Sequence, residues 1–205
     1  MTRRLPAPRL IVFARAPELG RVKTRLASSI GPARALEVYR RLLLRTLEMT
    51  RRLAGVEREW SVAGDDPEGE CARLAADFDL RLTRQCGADL GERMRSALER
   101  ALQQGRRPVL IGADSPDLDV HDLSGAFAAL AHCDAVFSPT RDGGYALIGL
   151  RRPVPSIFNG PAWGSAAVMQ VTRARLRHAG ASWIELRSVS DLDTVEDLQQ
   201  WPTAG

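Results

Sequence analysis

The chain has 205 residues, 44% of them hydrophobic, which supports one substantial core and a single domain spanning 1–205. Its net charge of +4 is spread over interspersed acidic and basic residues, and aromatics make up only 5%, which excludes the concentrated basic, aromatic-studded face of a nucleic-acid binder. No stretch approaches the roughly 18 apolar residues of a membrane span, and Pro6, Pro8 and Arg9 interrupt the start before any secretory-length apolar run.

Residues 9–15, RLIVFAR, form a continuous apolar run of strand length, and 32–53 carry Leu36, Val38, Tyr39, Leu42, Leu43 and Leu47 at helical spacing. The alternation then repeats. EREWSVAG (57–64) reads as a strand, PEGECARLAAD (67–77) as a helix and FDLRLT (78–83) as a strand. LGERMRSALERALQQG (90–105) is an amphipathic helix stopped by Gly105, and RPVLIGAD (107–114) is a buried strand. A helix over 118–132, strands over 134–139 and 144–150, a helix over 164–180, a strand over 182–187 and a helix over 194–201 complete the pattern. This rhythm predicts an α/β domain with three layers, helices on both faces of a mostly parallel, mixed sheet. In such sheets the chemistry sits in loops at the carboxyl ends of the strands.

The first of those loops, APELGRVKTR, offers a tight turn at Gly20 and then Arg21, Lys23, Thr24 and Arg25, a set of donors suited to an oligophosphate. It is not a P-loop, because Val22 stands where the glycine before the lysine is required. Of 29 basic residues only one is a lysine, Lys23, and a compact ammonium differs from a guanidinium where a phosphate is approached closely. An ordinary basic turn is the competing reading.

The fourth strand ends in GADSPDL, where Asp114 either holds a divalent cation through oxygen or caps the next helix. Asp117 and Asp119 sit closer to that helix start and suit the cap better. Near the end, SVSDLDTVEDL supplies Asp191 and Asp193 as candidates for a second ligand, although an aspartate before a helix is ordinarily its cap. Two glycine-rich loops, QCGADLGERM (85–94) and SPTRDGGYALIG (138–149), can line a pocket, and Trp163 in PAWGS (161–165) faces a ligand or fills the core. His121, His132 and His178 lie in predicted helices away from any nucleophile. Three cysteines, Cys71, Cys86 and Cys133, are an odd number without metal-type spacing; they read as structural and suit a reducing cytoplasm.

With these residues assembled, the chain resembles the nucleotide-diphospho-sugar transferase superfamily, the fold of glycosyltransferase type A domains and nucleotidyltransferases. More narrowly, it resembles the bacterial domain of unknown function 2064, also called arsenosugar-biosynthesis-type glycosyltransferases. FARAPELGRVKTRLA, GADLGERM, IGADSPDL, DGGYALIGL and DLDTVEDL carry the resemblance in order, and KTRLA is similar to the same stretch of 2-phospholactate guanylyltransferases. The resemblance implies that Ala14, Gly20, Arg21, Lys23 and Arg25 meet the nucleotide and that Gln85 and Gly91 lie near its base. It implies that Asp114 and Asp193 hold Mg2+ (or Mn2+), with Lys23 and Asp114 catalytic, and that Asp142, Gly143, Gly144, Tyr145 and Trp163 bind the acceptor. Arg141, Ala146, Gly164, Ser165 and Val195 depart from the pattern.

The resulting expectation is a cytoplasmic, metal-dependent transferase that binds a nucleotide and a small-molecule acceptor, with no nucleic-acid or membrane partner and a homodimer left open. Nucleotidyl transfer from a nucleoside triphosphate to a phosphorylated, carboxylate or hydroxyl acceptor, releasing pyrophosphate, leads. Glycosyl transfer from a nucleotide sugar is the alternative, and a nucleotide-binding module without turnover is the third.

Overall fold

The computed structural model describes residues 6–159 and 163–201. Seven strands, β1 (Ala7–Arg15), β2 (Glu57–Ala63), β3 (Arg81–Arg84), β4 (Arg106–Ile111), β5 (Ala135–Pro139), β6 (Tyr145–Leu150) and β7 (Trp183–Glu185), form one sheet in the order β3-β2-β1-β4-β6-β5-β7. Seven α-helices accompany it: α1 (Thr24–Ile30), α2 (Pro32–Arg51), α3 (Glu70–Asp77), α4 (Leu90–Gln103), α5 (Val120–Ala129), α6 (Val168–His178) and α7 (Val195–Gln200).

The strands read as apolar runs because both of their faces are covered. Leu10, Val12 and Ala14 of β1 point to a core shared with α2, α3 and α5, while Ile11 points the other way to Met94 and Leu98 of α4 and Met169 and Leu176 of α6. A third cluster, Leu26, Ala35, Val38, Leu42 and Leu192, packs α1, α2 and the chain before α7 together. Helix α2 therefore buries two stripes, one against the sheet and one against α1 and α7. Gly31, at φ 83°, separates α1 from α2, and Pro32 opens α2 where its missing N–H costs nothing.

Strands β1, β2, β3 and β4 run parallel, and β6 alone is antiparallel to both of its neighbours. A short hairpin over 140–144 reverses the chain, with the Asp142 carboxylate accepting from Thr140 Oγ1 and from the Gly144 N–H. Because β2 leaves β1 on one side and β4 lies on the other, the loops after β1 and β4 diverge and open a crevice between them.

Several sequence expectations are corrected here. The basic stretch after β1 is not all loop, because α1 begins at Thr24 and takes Arg25 with it. The helix expected over 164–180 begins at Val168, and residues 161–162 of the tryptophan loop lie outside the described residues. Cys71 and Cys133 are buried thiols, but Cys86 is exposed and supports no core. The three histidines are exposed, and among the described residues no helix is long and apolar enough to cross a membrane.

Two ionic clusters fasten the sheet away from the crevice. Glu59 on β2, only 1% exposed, accepts from Thr83 Oγ1 at 2.8 Å and from Arg100, with Arg9 Nη1 3.6 Å away. Replacing Glu59 by Ala takes the carboxylate partner from Arg100 and leaves Arg9 to Glu57 alone, so urea unfolding is expected to show a loss of about 3 kcal/mol; a loss below ~1 kcal/mol would contradict that role. At the other end, Asp134 pairs with Arg151 at 2.8 Å and Arg152 at 3.1 Å and accepts from the Ser182 N–H at 3.0 Å. The Arg152 hydrogen bond does most to hold its carboxyl below the usual range, against burial and with help from Arg151 and Ser182. A lowered carboxyl stabilises the fold above its unfolded value of about 3.9, and that contribution fades as pH falls further. Wild type is expected to lose stability more steeply than Asp134→Asn below about pH 4, measured by urea midpoints at each pH.

Candidate functional site

Three loops build the site, and each is anchored by its neighbours. After β1, Val22 and Leu26 are buried on either side of Lys23, and Lys23 adopts a left-handed backbone at φ 48°, ψ 46°. That conformation costs a non-glycine residue about 1–2 kcal/mol, and here it turns the side chain inward at the start of α1. After β4, Arg45 Nε of α2 holds the Pro116 carbonyl at 3.0 Å and so fixes the loop carrying Asp114. Beyond β7, the buried Leu192 donates its N–H to the Asp114 carbonyl at 2.9 Å, which sets Asp193 beside Asp114.

The three side chains meet. Lys23 Nζ lies 2.5 Å from Asp114 Oδ1 and 3.0 Å from Asp193 Oδ1, and Arg25 Nη1 lies 3.9 Å from Asp193 Oδ2. The lysine side chain is 3% exposed, whereas the two carboxylates are 49% and 43% exposed. Burial opposes the charged form of Lys23, but Asp114 and Asp193 overcome it and raise the ammonium above its ordinary value. Each carboxylate thus spends one oxygen on the ammonium while much of its surface faces the cavities.

Neither carboxylate is diverted into capping. Asp119 caps α5 in a reciprocal box with Asp122, and Thr194 caps α7 with Asp197, so Asp114 and Asp193 remain outside both helix ends. Asp191 differs from Asp193, because it accepts the Ser115 hydroxyl and burial pushes its carboxyl up to about 6, with Asp114, Asp142 and Asp193 adding to the effect.

Two cavities share the wall formed by Phe13, Leu90, Asp114 and Asp193. The larger, about 840 Å³, has Ala14, Gly20, Arg21, Lys23, Arg25 and Gln85 on its surface, together with Arg15, Tyr39 and Arg93. The smaller, about 280 Å³, has Asp142, Gly144, Tyr145 and Trp163 on its surface, together with Asp191 and Ser115. Gln85 Nε2 donates to the Ser61 carbonyl at 3.0 Å, which fixes the amide at the floor of the larger cavity. Gly91 and Gly143 face neither cavity. A Cβ on Gly91 would meet Trp163 Cζ2 at 2.5 Å, and one on Gly143, at φ 93°, would meet the Ala166 carbonyl at 2.1 Å, so both glycines admit close packing beneath the site.

Sequence reasoning missed Tyr39, Arg15, Arg93 and Phe13. The spacing of Tyr39 predicts helix core, yet its hydroxyl donates to the Arg15 carbonyl at 2.8 Å and accepts the Arg15 N–H at 2.9 Å, locking the end of β1. A tyrosine within an otherwise aliphatic helical stripe was the available signal. Arg93 stands one turn beyond Leu90 on α4, a spacing that could have placed it on the same wall.

Asp114 and Asp193 offer hard oxygen donors of the type a divalent cation takes, with exposed surface beyond their contact with Lys23, although among the described residues no group of three or more His, Cys, Asp or Glu has metal-binding geometry. Such an ion would complete its shell with water and phosphate oxygens, as Mg2+ characteristically does.

Comparison with known proteins places this arrangement. A family model described as "Uncharacterized protein conserved in bacteria (DUF2064)" matches residues 46–165. The chain belongs to this family. A solved structure from Desulfovibrio desulfuricans G20, assigned by name to the nucleotide-diphospho-sugar transferases, is 35% identical with a TM-score of 0.85, covering 93% of this chain and 84% of that one. A CMP:2-keto-3-deoxy-manno-octonic acid synthetase complexed with CTP has 14% identity and a TM-score of 0.58, covering 95% of this chain and 96% of its own. Glucosyl-3-phosphoglycerate synthase from Mycobacterium tuberculosis, in complex with Mn2+, UDP and glucosyl-3-phosphoglycerate, has 11% identity and a TM-score of 0.56, covering 94% and 75%. The last two share the fold. No curated protein sequence matches the chain. The architecture of this family member is thus the mixed α/β sheet of nucleotide-diphospho-sugar transferase structures.

The packing of Trp163 over Gly91 gives a direct test. Gly91→Ala is expected to displace the indole and cost about 1–3 kcal/mol in urea unfolding, with a red-shifted tryptophan emission. Unchanged stability and emission would contradict the close contact.

Proposed function

We propose that this family member is a metal-dependent nucleotidyltransferase, which joins a nucleoside monophosphate unit to a small acceptor and releases pyrophosphate. The observation that carries this reading is the position of Lys23, Asp114 and Asp193 at the wall between a large cavity rich in cations and a small one lined by aromatic and acidic groups.

The larger cavity has room for a nucleotide, and Arg15, Arg21, Lys23, Arg25 and Arg93 supply more positive charge than a base or ribose requires. Its charge favours a triphosphate donor. The acceptor enters the smaller cavity, and its oxygen attacks the α-phosphorus in line while the bond to the bridging oxygen breaks and pyrophosphate leaves with the electron pair. Lys23, held charged by its two partners, stabilises the crowded phosphoryl oxygens, and Arg21 and Arg25 accompany the departing pyrophosphate. Asp114 and Asp193 would hold Mg2+ or Mn2+, which when bound offsets charge on the phosphate oxygens. Gln85 and Ala14 border the base side, and the Asp142–Tyr145 turn with Trp163 borders the acceptor.

Lys23→Ala removes one such stabilising charge, worth about 2.7–4 kcal/mol, so turnover is expected to fall on the order of a hundredfold while the thermal midpoint records any folding loss separately. A full-rate variant would remove Lys23 from the mechanism.

A second reading has a specific observation behind it: the Desulfovibrio desulfuricans G20 relative is named for nucleotide-diphospho-sugars, and glucosyl-3-phosphoglycerate synthase, in complex with UDP, shares the fold. Incubation with Mg2+, each nucleoside triphosphate and a set of nucleotide sugars, followed by mass spectrometry, separates the two. Pyrophosphate release supports nucleotidyl transfer, and nucleoside diphosphate release from a nucleotide sugar supports glycosyl transfer. Binding that survives Asp114→Ala without any metal-dependent product would reduce the protein to a nucleotide-binding module.

A further inference from the structure

The smaller cavity has a chemical character that narrows the acceptor. Phe13, Met94, Leu110 and Ile148 give it an apolar wall, and its volume of about 280 Å³ admits only a compact molecule. Its charged residues are Asp114, Asp142, Asp191 and Asp193, with no lysine or arginine among the described residues that line it. The contrast with the neighbouring cavity, where five cations line the surface, is abrupt. An anionic group placed at the Asp142 and Asp191 end would face two carboxylates, with Arg25 and Arg141 lining the adjoining cavity beyond Asp193 rather than this one.

Three polar groups of residues lining the same cavity are enclosed and have no hydrogen-bond partner among the described residues: the Tyr145 hydroxyl, the Trp163 indole N–H and the Ser165 hydroxyl. Enclosed in this way, they give an anion in the cavity no donor to replace its water. Tyr145 and Trp163 are fixed in place by edge-to-face contacts, Phe137 to Tyr145 at 5.3 Å and Tyr145 to Trp163 at 6.5 Å. Together they give the cavity an aromatic side rather than a charged one.

We propose that the acceptor of this enzyme is a compact alcohol bearing no phosphate or carboxylate, which lays an apolar face on the Phe13–Ile148 wall and turns its hydroxyls to the carboxylates on the other side of the cavity. This rests on the nucleotidyltransferase reading for the direction of transfer, but the pocket chemistry stands apart from it. One hydroxyl oxygen forms the new bond to the α-phosphorus, the bond from that phosphorus to the pyrophosphate oxygen breaks with its electron pair, and the hydroxyl proton passes to water.

The test is saturation-transfer NMR on the full chain with Mg2+ and each α,β-methylene ribonucleoside triphosphate, using glycerol, methyl glucoside and cyclohexanediol, each beside its own monophosphate. At least one alcohol is expected to bind about tenfold or more tightly than its phosphate. Asp142→Asn keeps an acceptor oxygen for Thr140 and Gly144 while removing a charge, so it should reduce that preference at least about threefold. Phosphates that bind as well as the alcohols, for example through Arg25 and Arg141 in the adjoining cavity beyond Asp193, would overturn the proposal, as would binding of neither. A preference that Asp142→Asn leaves intact would overturn it too. Alcohol binding with the expected preference, but with no product when hydrolysable triphosphates replace the analogues, would support this pocket assignment and overturn the transferase reading instead.

Discussion

One buried ammonium ties together loops separated by nearly the whole chain. The Lys23 side chain is almost fully enclosed and can be so only because Asp114 and Asp193 sit against it. A lone buried ammonium would lose its proton or its place; paired with two carboxylates it keeps both. The carboxylates, in turn, would repel one another across the gap without it. The loops after β1 and β4 and the segment before α7 therefore form one unit. The Leu192 to Asp114 backbone hydrogen bond and the buried cluster around Leu26 and Leu192 give that unit its geometry.

The sheet explains why this unit lies where it does. Reversal of strand order at β1 opens the crevice, and the antiparallel β6 brings the Asp142–Tyr145 turn to its rim. The charge then divides by side: arginines from β1, α1 and α4 face the larger cavity, while aspartates and aromatic rings face the smaller. A donor carrying several phosphates and an acceptor carrying none would be sorted by this division before any specific contact forms.

Much of this was legible in the sequence, for definite physical reasons. Fully buried strands show as apolar runs such as RLIVFAR, and the stripe Leu36, Tyr39, Leu43, Leu47 shows as helix because its spacing matches the turn. The singular lysine and the two aspartates were visible as residue types at strand ends. What the sequence did not display was mostly set by tertiary contacts. Helix α1 starts within a basic loop because Lys23 accepts a left-handed backbone that local preference disfavours. Gly91 reads as part of a helix start and, by resemblance, as a neighbour of the base, but it is the bed of an aromatic ring seventy-odd positions away, a contact no local pattern encodes. The distinction between Asp191 and Asp193 likewise depends on which one meets Ser115 and which meets Lys23.

The central claim is that Asp114 and Asp193 meet a cation-bound polyphosphate beside Lys23. Its most direct test is crystallography of the protein grown with Mn2+ and a non-hydrolysable nucleoside triphosphate, with anomalous scattering used to find the metal. The account predicts an anomalous peak in contact with both carboxylates, with the phosphates running along Arg21 and Arg25. A metal and nucleotide bound together elsewhere, with the lysine and its two aspartates undisturbed and facing only solvent, would contradict it.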